Sequence, residues 1–212
     1  MLKKLFTALC MAAVIVFAAQ TQVSATAVSV ILDTPEGQFA EPEKVYTTVQ
    51  TTLDNIFKTS TFEVKSVSEC DAYVQIYREE NDRSYVAENN HDYSQNRDLT
   101  FKKEDIAKMC DHFGDDYLVY IRVTTTHPRA TGGVFTSGRK VNVITDFRIW
   151  SRVKNDFVYL SRKTTTGSSE TVNISIFGRG SGSTENAVEE GLLKGMKEVE
   201  KDKNKIIAAM SE

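Results

Sequence analysis

At 212 residues, 41% hydrophobic and 26% charged, the chain has the composition of a globular protein large enough to bury a core. It carries too little cysteine for a disulfide scaffold and too little charge for disorder. Its net charge of −3 argues against non-specific nucleic-acid binding, which depends on neutralising phosphates.

The N-terminus reads as an export signal. Lys3 and Lys4 precede an apolar run over residues 5–19, followed by small and polar residues. Val23, Ser24 and Ala25 fit the cleavage pattern, so the expected cut follows Ala25, with Ala27 as the second choice. The alternative is an uncleaved membrane anchor, but the run is shorter than the roughly 20 residues that span a bilayer. The sequence therefore predicts a leader over 1–25, one domain over 26–212 and no integral span after cleavage. Lipidation of Cys10 is rejected, because Leu9 stands where a small residue is needed and the cysteine lies inside the apolar run.

Residues 27–33 alternate as a strand, with Val28, Val30 and Leu32 on one face. Pro42 suits a first helical turn. Val45, Val49, Leu53, Ile56 and Phe57 then make a helical stripe, and residues 61–67 predict a second strand. Ser68 could cap the next helix, which carries Cys70, Tyr73, Val74 and Tyr77 on one face. The stretch AYVQIY also admits a strand. Residues 81–98 are rich in Asn and Asp and predict an exposed loop.

A helix-then-strand unit over 101–123 organises the middle of the chain. Ile106, Met109, Cys110 and Phe113 share a helix face, and Gly114 stands where a helix exits through a left-handed conformation. The period then changes to two: Tyr117, Val119, Ile121 and Val123 oppose Leu118, Tyr120, Arg122 and Thr124. This predicts an inner strand with a helix on one side. Residues 126–140, with Pro128, Gly132, Gly133 and Gly138, predict a long hairpin connection or a flexible excursion. Residues 141–150 and 157–164 predict a hairpin turned at Lys154, Asn155 and Asp156. An edge strand near 172–177 and a loop follow. A last helix starts at Thr184 with Ser183 as its cap, buries Val188, Leu192, Met196 and Val199, and continues weakly through Ile206, Ile207 and Met210. The expected fold class is α/β (α+β): one mixed, mainly antiparallel sheet of about five strands with three to four helices packed on it.

This order of elements resembles the bacterial envelope module of TolB N-terminal domains and CsgG-like proteins. The residues that carry the resemblance are His112 to Ile121, matching the "lg-adyvl-g-v" strand, and Phe147 to Tyr159, matching the "lrl-d--tg-v-ws" hairpin. It runs over nearly the whole chain after the leader. No residue in the pattern is catalytic. The resemblance implies an exported protein that works by binding or assembly. The absence of a lipobox leaves the CsgG mode of anchoring unsupported, and the lack of a following propeller sets TolB itself aside.

The remaining constellations are weak as chemistry. His91, His112 and His127 show no metal-ligand spacing. Asp111, Asp115 and Asp116 read as a solvated turn rather than a cation loop. The Gly/Ser run 178–183 precedes a helix but lacks a Walker lysine. Asn173 begins a formal glycosylation sequon with no role in a bacterial envelope. Cys70 and Cys110 are the candidate disulfide, with two buried thiols as the alternative. Trp150, on the polar side of the hairpin with Arg148 and Asp146, marks a candidate partner surface together with Arg148 and Tyr159.

The expected function is a noncatalytic accessory or binding module of the cell envelope. A self-assembling envelope component is the alternative, and a hydrolase or metal enzyme comes third. No cofactor and no metal site are expected. The partner is an envelope protein or a second copy of the chain, not nucleic acid, and the compartment is the periplasm or the extracellular space.

Overall fold

The computed structural model describes residues 25–34, 39–81, 101–132, 136–172 and 183–212. Residues 1–24, nearly all of the expected leader, and the polar stretch after position 81 lie outside these residues, as do His91, Asn173 and the glycines at 178–182. Six strands form a mixed sheet: β1 (Thr26–Asp33), β2 (Phe62–Val64), β3 (Tyr117–Thr125), β4 (Arg129–Gly132), β5 (Thr136–Ser151) and β6 (Asp156–Val172). Five helices accompany it: α1 (Pro42–Phe57), α2 (Val67–Glu80), α3 (Lys103–Phe113), α4 (Thr184–Glu200) and α5 (Lys203–Ser211). No helix among the described residues is long and apolar enough to cross a membrane.

The order across the sheet is β2-β1-β3-β5, with β6 on the far side of β5. β1 runs parallel to β2 and β3, whereas β5 runs antiparallel to β3, β4 and β6. This is the expected α/β class. The stretch 126–140, expected to be a connection, is largely strand instead. β4 continues the line of β3 along β5, pairing Arg129 with Lys140 and Gly132 with Ser137. Its Thr, Arg and Gly residues lack the apolar alternation that announces a strand, and pairing with β5 supplies the order.

Helices cover both faces of the inner strands, not one. On the first face Val28, Val30, Val119, Ile121, Phe147 and Ile149 meet Val49, Leu53, Leu192 and Met196 of α1 and α4. On the second, Ile31, Leu118, Tyr120 and Trp150 meet Val74, Ile106 and Met109 of α2 and α3. Each such buried side chain contributes about 1.5–3 kcal/mol relative to exposure.

Local signals explain the boundaries. Gly114, at φ 70°, ends α3 in the left-handed conformation its position predicts. Ser183 caps α4, its Oγ accepting from the Asn186 N–H at 3.2 Å. α2 starts at Val67, with Ser66 rather than Ser68 before it, and the ambiguous stretch AYVQIY is helical. The C-terminal helix breaks near Lys201, so α5 is separate. The hairpin extends well beyond the expected 141–164. Asn155, at φ 49°, turns it.

α4 seats on the hairpin through glycines. A Cβ on Gly167 would come within 1.7 Å of the Ala187 carbonyl oxygen, and one on Gly191 within 2.3 Å of Val143 Cγ2. Thr165 Oγ1 donates to the Gly191 carbonyl at 2.5 Å. Helix and strand approach as closely as backbone allows.

Candidate interaction surface

The period-two alternation of β5 and β6 sends successive side chains to opposite faces. One face carries Val141, Val143, Thr145, Phe147 and Ile149, all buried beneath the helices. The other carries Trp150, Arg148, Asp146, Ile144 and Asn142 on β5. In register on β6 are Phe157, Leu160, Arg162, Thr164 and Thr166, and on β3 Tyr120, Arg122 and Thr124.

This second face is covered only at one end. Trp150 is 1% exposed, its ring edge-to-face with Phe157 at 5.2 Å and with the Lys103 ammonium 5.5 Å above it. Farther along, Leu160 is 63% exposed, and Arg162, Thr164, Thr166 and Asn142 are exposed. Asp146 lies among arginines. Arg162 donates to both of its carboxylate oxygens, at 2.6 and 3.0 Å, and Arg148 stands 4.0 Å away. The Arg148 guanidinium also sits 5.9 Å from the Tyr120 ring and 5.8 Å from the Phe157 ring. Arg122 stands opposite Asp146 in the register of β3 and β5. The uncovered part is therefore a threonine-rich face bearing three arginines around one aspartate, with Leu160 as its exposed apolar group.

The expected surface of Trp150, Arg148 and Tyr159 needs correcting. Trp150 does share a face with Arg148, but it lies at the strand end that runs beneath α3, so it is core. Tyr159 points to the opposite face, half-buried against Phe147 at 6.2 Å between ring centroids. Only Arg148 belongs to the open face. Leu160, Arg162 and Arg122 were missed, although the even-numbered alternation of β6 places the first two beside Arg148.

Cys70 and Cys110 are both buried and unbridged in this structure. Burial pushes both thiols up, Cys110 to about 12, and Cys110 Sγ donates to the Asp115 carbonyl at 3.5 Å. Neither is set up as a thiolate nucleophile. Asp115 is 5% exposed and ion-paired with Lys65 at 2.9 Å, while Asp116 meets Arg152 at 3.2 Å. His112 stacks on Tyr73, with ring centroids 3.6 Å apart. His127 is exposed beyond the end of β3. Among the described residues no three His, Cys, Asp or Glu side chains gather as a metal site.

A second buried polar cluster went unread in the sequence. Asp33, the fully buried last residue of β1, accepts hydrogen bonds from the Arg78 guanidinium and the Tyr120 hydroxyl. Arg78 lies over the Phe101 ring at 4.1 Å. Beside it, Tyr77 donates to Asp105 at 2.9 Å, and Asp105 accepts the Lys102 N–H at 2.8 Å. These bonds tie the end of α2 and the start of α3 to the sheet. The C-terminal end of a parallel strand is a common place for ligands, but here the charge is consumed in holding two helices down.

No family model matches the chain, and no curated protein matches it. Among solved structures, a lipoprotein of Neisseria meningitidis is similar at 16% identity and TM-score 0.35, over 84% of this chain and 97% of that one. A minor lipoprotein of Acinetobacter baumannii is similar at 13% identity and TM-score 0.35, over 87% and 94%. The LpoB C-terminal domain of Salmonella enterica is similar at 10% identity and TM-score 0.30, over 70% and 88%. Likenesses at this level fix neither a function nor a partner.

Proposed function

We propose that this chain is an exported, noncatalytic binding module of the bacterial envelope that docks a partner protein on the outer face of β5 and β6. The carrying observation is the asymmetry of the ribbon. One face is sealed by α4, whereas the other runs out from under α3 and leaves Leu160 and Arg162 exposed and Arg148 and Arg122 half-buried. Export follows from the leader over residues 1–25, and the same proposal includes the likeness in element order to TolB N-terminal and CsgG-like modules. The buried charges favour binding over catalysis, because Asp33, Asp105 and Asp115 hold helices and loops in place.

The test combines fractionation with position-specific photocrosslinking in the native host. The chain is expected outside the cytosol with its mass lowered by the leader. A crosslinker at position 160 is expected to give a discrete protein adduct that one at the exposed Glu79 does not. Full-length protein in the cytosol, or equal yields from both positions, contradicts the reading.

A further inference from the structure

We infer that the edge of β6 between Leu160 and Thr164 takes up an extended, acidic segment of a partner protein as an added strand, an inference that rests on the docking face proposed above. The polarity of the edge can be read from its other end. The Ser168 N–H donates to Glu190, and the Thr166 carbonyl accepts from Lys194, so even-numbered residues of β6 turn their backbone groups away from β5. α4 covers the edge there. The pairing of β5 with β6 runs without a register shift from Tyr159 to Val172. The N–H and C=O groups of Leu160, Arg162 and Thr164 therefore also face outward. Among the described residues nothing bonds to them, and β6 pairs with no strand but β5. A row of open backbone groups is a template for another strand.

Charge selects the occupant. The added strand's side chains on the open face would lie beside Leu160, Arg162 and Thr164, with Arg148 and Arg122 one and two strands farther in. Three arginines against Asp146 leave this face positive in a chain whose net charge is −3. Carboxylates on the incoming strand meet that field, and cross-strand neighbours of opposite charge are favourable. A second copy paired antiparallel through the same segment would instead bring its own Arg162 against these arginines.

The test is an amide-resolved NMR titration of the exported chain with a capped peptide of about seven residues alternating valine and glutamate. Its valine–lysine counterpart is the control. The glutamate peptide is expected to protect the amides of Leu160, Arg162 and Thr164 and to bind about tenfold tighter than the lysine peptide. Leu160→Pro removes an outward N–H without touching the ladder to β5, and is expected to abolish binding. Should that variant unfold, Arg162→Gln decides, by narrowing the gap between the two peptides. Equal binding of both peptides, or protection elsewhere, overturns the inference. So does protection of the same amides in the free protein with a doubled mass, which makes a second copy the occupant. If the peptides fail while the adduct from position 160 persists, strand addition falls and the docking face stands. Loss of both removes the docking face as well.

Discussion

The two faces of the β5–β6 ribbon share a backbone, a register and a twist, yet one is core and the other is surface. On the sealed face, glycines let α4 approach until Gly167 meets Ala187 and Gly191 meets Val143. On the other, α3 ends its cover at Trp150 and Phe157, and the strand continues into solvent with Leu160 and Arg162. Burial here is set by position along the strand as much as by the face a residue occupies. That is why, on one face of one strand, Trp150 is core and Arg148 only half-buried.

The strongest way to break the covered end is Arg78→Ala. It leaves the fully buried Asp33 carboxylate without its cation, and a broken buried pair costs about 3–5 kcal/mol. Chemical denaturation should show a loss of that size, with α2 and α3 losing amide protection before α4. A loss under about 1 kcal/mol would mean that the pair does not hold these helices. On the sealed face, Gly167→Ala forces α4 away from the strand, and overpacking against backbone is expected to cost about 3 kcal/mol. Full stability in that variant would contradict the close seating.

pH sharpens the comparison at the buried Cys110 thiol. The Cys110 thiol ionises at about 12 in the fold, against an ordinary 9.0. Between those values the unfolded chain gives up a proton that the folded chain keeps, so stability falls as pH rises through that window. Cys110→Ala should flatten this alkaline decline, as read from melting temperatures between pH 8 and 11. An unchanged slope would place the titration elsewhere. The smallest effect is expected on the open face. Arg162→Gln should cost about 1 kcal/mol or less, because the arginine it removes is largely solvated. A larger loss would show that Arg162 is a structural brace and not a docking group.

Much of the fold was legible where periodicity and punctuation agreed. The stripe from Val45 to Phe57, the stop at Gly114, the cap at Ser183 and the alternation from Val141 to Ile149 each have a local cause. β4 was not legible, because Arg129 to Gly132 becomes strand only through pairing with β5. The glycine seating was not legible either, since Gly167 and Gly191 look like flexibility until their neighbours are known. The Asp33–Arg78 pair joins residues far apart in the chain, and neither has a local signature. For the candidate surface, alternation placed Arg148 on the face left open but could not say where along it α3 ends. It therefore selected Trp150 and passed over Leu160 and Arg162.

Amide-resolved hydrogen exchange on β6 in the free protein is the most direct test of the open edge. The amides of Leu160, Arg162 and Thr164 are predicted to exchange far faster than those of Ser161 and Lys163, which face β5. The Ser168 amide, held by Glu190, is predicted to exchange slowly. Equal protection of odd and even amides between 160 and 164 would mean that the edge is already occupied, and would contradict β6 as a docking strand.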